Sequence, residues 1–178
     1  MNWLVISGHN ILSDHGYTFA VMYVVKTNEL AAQFYSTNGL EKLVQMLTNE
    51  CIGDHQVAYN VLCALWIMSY QEEARREFED VNKSIIENSQ KILNFFQKDK
   101  IIRIVLMIME SLSTSRECLE IMMDLNGLEF VTNLQKRYNQ DDDIKNLLEK
   151  LWELFDENYQ EFTSIEKFKK EVHQRMLR

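Results

Sequence analysis

Apolar residues recur along nearly the whole chain at three- and four-residue steps, the spacing of an amphipathic helix. In DIKNLLEKLWELF (Asp143–Phe155), Ile144, Leu147, Leu148, Leu151, Leu154 and Phe155 form one stripe with charges opposite. Two other stretches are apolar on almost every side. In QVAYNVLCALWIMSY (Gln56–Tyr70) the exceptions are Gln56, Asn60 and Ser69. In IIRIVLMIMESL (Ile101–Leu112), Arg103 is the one charge before Glu110, and the two share a side because they are seven residues apart. Helices of this kind must be covered by neighbours all round. Only TFAVMYVVK (Thr18–Lys26) is ambiguous: its β-branched residues permit a strand, but no partner strand is visible.

The pattern repeats. Asn38-Gly39 and Asn126-Gly127 each follow a short amphipathic segment, AAQFYST and CLEIMMDL, and each precedes another, LEKLVQMLTN and LEFVTNLQKRY. A longer helix begins 16 residues past each glycine, near His55 or Asp143. The glycines are 88 residues apart, twice 44. Halfway between them REFEDVN precedes KSIIENSQKILNFFQK, and the helix near Ile101 follows. A period near 44 with two or three helices per unit predicts an all-α chain, an α-solenoid of armadillo or HEAT-like repeats. In such a stack one helix of each unit is sandwiched between neighbours, the position that Gln56–Tyr70 and Ile101–Leu112 fit. The Asn-Gly pairs fit left-handed C-caps that turn the chain between helices. The aspartates at 141–143 offer an N-cap and favourable charge at the start of the last helix.

Composition narrows function. The chain of 178 residues reads as one domain, 1–178, with enough core to fold alone. A net charge of −8 and a pI near 5.1 argue against a nucleic-acid surface or an anionic-membrane surface. The Gln56–Tyr70 stretch is too short and too sharply flanked by polar residues to span a membrane. Cys51, Cys63 and Cys118 are far apart and odd in number, so they signal neither a disulfide framework nor a zinc site. Free cysteines suit a reducing compartment, and no secretory signal opens the chain.

No catalytic, cofactor-binding or metal-ligating motif stands out. Phosphate loops, dinucleotide glycine patterns, zinc-protease pairs and nucleophile elbows are all missing from the sequence. Tyr59 and Trp66 read as core residues. Gln56 and Asn60 lie one turn apart on an otherwise apolar helix, where an amide either bonds internally or faces a groove. Arg103 must snorkel, pair (with Glu110 or Asp99) or face the same groove. These three are the candidate partner-contacting residues.

Several segments together resemble the H subunit of the vacuolar proton-pumping ATPase. They are Asn2-Trp3-Leu4, NELAAQFYSTNGLEKLVQMLTN, QVAYNVLCALWIMSY with Tyr59 and Trp66 in matching places, and IIRIVLMIMESL with Arg103. The most specific is DDDIKNLLEKLWELF, followed by FTSIEKFKKEV. The resemblance implies a helical-repeat solenoid and a non-catalytic subunit without cofactors. It implies binding to the peripheral stalk subunits E and G, and support for coupling ATP hydrolysis to proton transport. It further implies contact with the rest of the peripheral sector and with the pump's membrane a-subunit, which in the family is met by a C-terminal module. The place implied is cytoplasmic, on the cytosolic face of acidic endomembranes, without direct membrane insertion. Measured against the family, the domain is expected to be incomplete at both ends, with the C-terminal module absent. The alternative is a free-standing armadillo-type adaptor that binds extended peptides.

Overall fold

The computed structural model describes residues 21, 25–49, 54–71, 78, 81–138 and 141–176. Among them are eight helices and no strand: α1 Asn28–Ser36, α2 Gly39–Asn49, α3 His55–Ser69, α4 Asn82–Phe95, α5 Asp99–Leu112, α6 Arg116–Asp124, α7 Gly127–Arg137 and α8 Asp142–Met176. The ambiguous Thr18–Lys26 lies mostly outside the described residues. Within it Val21 is helical, and Val25 N donates to Val21 O at 3.0 Å, a helical step.

The repeat is present in the helices themselves. The middle helices α2, α4 and α7 begin at Gly39, Asn82 and Gly127, and the long helices α3, α5 and α8 at His55, Asp99 and Asp142. Each series steps by about 44 residues, the armadillo/HEAT period.

The chain divides into two compact units, Met1–Ser111 and Leu112–Arg178. In the first, α1 packs on α2, and α2 packs on both α3 and α4. Asp54 starts α3: its Oδ1 accepts from the backbone N–H groups of Gln56 at 2.7 Å and Val57 at 3.3 Å. Ala58, Val61, Leu62, Ala64, Leu65 and Met68 are then wholly covered, which puts buried residues on most sides of the helix. α3 and α5 run side by side in one direction. Near their starts Lys100 Nζ donates to Gln56 Oε1 at 2.9 Å; near their ends Ser69 Oγ donates to Ser111 Oγ at 2.8 Å. Gln71, just past α3, accepts from the Tyr35 hydroxyl at 2.6 Å and donates to the Val25 carbonyl.

In the second unit α7 packs on α6 and α8, and α6 also meets α8. Asp141 is the N-cap of α8, its Oδ1 accepting from Ile144 N at 3.0 Å. Ile144, Leu148, Leu151 and Phe155 are buried in one stripe, while Leu147 and Leu154 are half-covered.

The two Asn-Gly turns match each other and are the left-handed C-caps expected of them. The left-handed residue in each is the asparagine, with φ 57° at Asn38 and 58° at Asn126; neither glycine has positive φ. Asparagine tolerates this conformation because its short polar side chain can bond locally. Gly39 and Gly127 instead open the following helices and are needed for close approach. A Cβ at Gly127 would come within 2.7 Å of the Met122 carbonyl oxygen and 3.1 Å of the Phe155 ring. A Cβ at Gly39 would sit 2.6 Å from atoms of the Phe34 ring.

Candidate functional site

The three residues singled out in the sequence converge on one face of the first unit. Gln56 and Asn60 stand one turn apart on α3, and Gln56 Nε2 donates to Asn60 Oδ1 at 2.9 Å. Asn60 is buried and Gln56 half-buried, so the bond satisfies an amide that would otherwise carry a desolvation cost. Arg103 on α5 is half-buried, and its charge acts on the Tyr59 hydroxyl.

Sequence reading missed Lys100. Its ammonium joins the Gln56 oxygen and lies over the Tyr59 ring at 4.7 Å from the centroid. The ring face carries negative quadrupole density, so it attracts the cation. A short network results: Lys100 donates to Gln56, Gln56 donates to Asn60, and Tyr59 supplies the platform. The signal that would have found it is the period itself, because Gln56 and Lys100 are 44 residues apart. The same step carries Tyr59 to Arg103. Equivalent positions of consecutive repeats therefore face each other across α3 and α5.

Tyr59 and Trp66 depart from the core reading. Both are only half-covered. Trp66 makes an edge-on contact with Tyr70 at 5.8 Å between ring centroids, and Tyr70 is exposed. Tyr59 and Cys63 share a hydrogen bond that holds the phenol pKa above its usual value, with burial adding to it. Burial pushes the Cys63 thiol up, while the bond from Tyr59 and the fields of Lys100 and Lys26 oppose that rise. A thiol held in its neutral form is a poor nucleophile. Cys63 and Cys118 are both free and buried; Cys51 lies outside the described residues. Among the described residues no cluster of His, Cys, Asp and Glu could hold a metal ion, and no helix is long and apolar enough to cross a membrane. The face offers fixed amides, an aromatic surface and cations, which are means of recognition.

The model of one protein family, that of the V-ATPase H subunit, matches residues 17–155 of the chain. That span takes in α1 to α7 and the buried stripe of α8, with both Asn-Gly turns and the whole α3–α5 face. An all-helical chain built on this repeat is an α-solenoid of armadillo/HEAT type, and the chain belongs to the V-ATPase H-subunit family, a non-catalytic regulatory component of the proton-pumping ATPase.

Proposed function

We propose that the chain docks on the peripheral stalk of the pump, against subunits E and G, and supports the coupling of ATP hydrolysis to proton transport. It would do so from the cytosolic face of acidic organelles, with residues 1–178 acting as one repeat domain. The observation that carries this reading is the α3–α5 face in a member of this family. Three of its polar side chains, Lys100, Gln56 and Asn60, are bonded in series before any partner arrives. Rigid surfaces of this kind lose little side-chain freedom on association. Gln56, Asn60 and Arg103 are the proposed contacts. The test is co-purification with a recombinant E–G pair and with intact pump particles. Capture by both is expected. Failure to bind either one sinks the proposal, and binding to peptide arrays without pump association favours a free-standing adaptor.

A further inference from the structure

We infer that the α3–α5 face receives an acidic segment of the protein that docks there. The inference deepens the docking reading and rests on it for the site. Lys100 lies on the face near the starts of both helices. Among the described residues, the partners of this half-buried ammonium are a neutral amide oxygen and a ring face. Neither cancels its charge. Arg103 stands one turn further along α5, where i and i+3 side chains are neighbours. Lys26, from the turn before α1, is close enough for its field to reach the Cys63 thiol together with that of Lys100. Three cations, two neighbours on α5 and one from the turn before α1, thus act on the Tyr59–Cys63 pair. They do so in a chain of net charge −8.

Two features suit such a face to carboxylates. The first is preorganisation. Gln56 and Tyr59 hold the Lys100 ammonium in place, so a ligand need not order it. The second is partial burial, which lowers the local dielectric and strengthens a charge-assisted hydrogen bond. The rest of the molecule is acidic and repels an acidic peptide. Binding of such a peptide therefore reports the local cluster and not a general attraction.

The test uses the full chain and a fluorescein-labelled Glu–Ala repeat peptide, with Gln–Ala and Lys–Ala versions, read by fluorescence anisotropy. The acidic peptide alone should bind, and binding should weaken as salt is raised because the pair is partly screened. Lys100→Met keeps the aliphatic stem; with Arg103→Gln it should weaken binding by about tenfold or more, the scale of a lost charge contact. Lys145→Gln, which removes an exposed ion pair with Glu149 on α8, should leave binding unchanged. Far-UV circular dichroism confirms that each variant is folded. A second variant, Tyr59→Leu, should weaken binding less than the charge removals. Equal binding of the Gln–Ala peptide, no binding of the acidic one, or an unaltered Lys100→Met/Arg103→Gln protein overturns the inference. Displacement of the peptide by inorganic phosphate at low concentration reassigns the face to phosphate and overturns it too. The same double variant is then tried against the E–G pair. Capture that survives it leaves the stalk reading standing and removes this one. Peptide binding without stalk capture does the reverse.

Discussion

α3 and α8 hold the same place in the repeat and are covered differently. Aligned on their capping aspartates, Asp54 and Asp141, they share one buried stripe: Val57, Val61, Ala64 and Met68 on α3 match Ile144, Leu148, Leu151 and Phe155 on α8. The next side of the helix is where they part. Ala58, Leu62, Leu65 and Ser69 are buried on α3, and Ser69 bonds there to Ser111 of α5. The matching residues on α8 are Lys145, Glu149, Trp152 and Asp156, all exposed, with Lys145 and Glu149 3.8 Å apart. The lesson is that this second side receives the following long helix. That side is apolar on α3, where the next long helix covers it, and on α8 it carries three charged residues beside the exposed Trp152.

The largest effect should come from that second side. Leu62→Ala should cost about 2–5 kcal/mol, the range for emptying a well-packed leucine site. Glu149→Ala, its match on α8, should stay within about 0.5 kcal/mol of zero. Urea unfolding of both variants checks this, and equal losses would break the comparison.

The turns give the next contrast. Gly127→Ala pushes a methyl group against the Met122 carbonyl and should cost about 1–3 kcal/mol, as overpacking does. At Gly39 the obstacle is the half-exposed Phe34 ring, which can move, and alanine favours the helix by about 1 kcal/mol. Gly39→Ala should therefore be close to neutral in the same measurement. The caps come third. Asp54→Ala and Asp141→Ala should each cost about 1 kcal/mol.

The smallest effect is a pH dependence confined to α3. Tyr59 and Cys63 both titrate above their usual values in the folded chain. Each therefore favours the fold while protonated, and that contribution is lost as pH climbs past 9.0, the ordinary thiol value, toward the raised ones. The melting temperature of wild type should fall in that window, and that of Cys63→Ala should fall less steeply.

The period of 44, the all-round apolar helices and the single stripe of α8 were legible because each follows from the spacing of apolar residues along one helix. The role of the glycines was not. Asn-Gly announces a left-handed turn but does not say which residue adopts it, and the close approach of Gly127 to Phe155 depends on how α7 and α8 pack. Lys100 stayed hidden for a related reason. It precedes the apolar run of α5 and looks like any surface lysine until α3 and α5 lie parallel and bring it to Gln56. Tyr59 and Trp66 were read as core because periodicity ranks residues by type. It does not show that their side of α3 is only half-covered.

The docking account is tested most directly by placing a photoreactive phenylalanine at Tyr70, exposed at the end of the face, and irradiating assembled pump particles. Mass spectrometry should find the chain joined to the stalk's E or G polypeptide, with the same group at Trp152 on α8 giving far less of that product. Adducts from Tyr70 only to other components of the pump, or equal stalk adducts from Trp152, would contradict it.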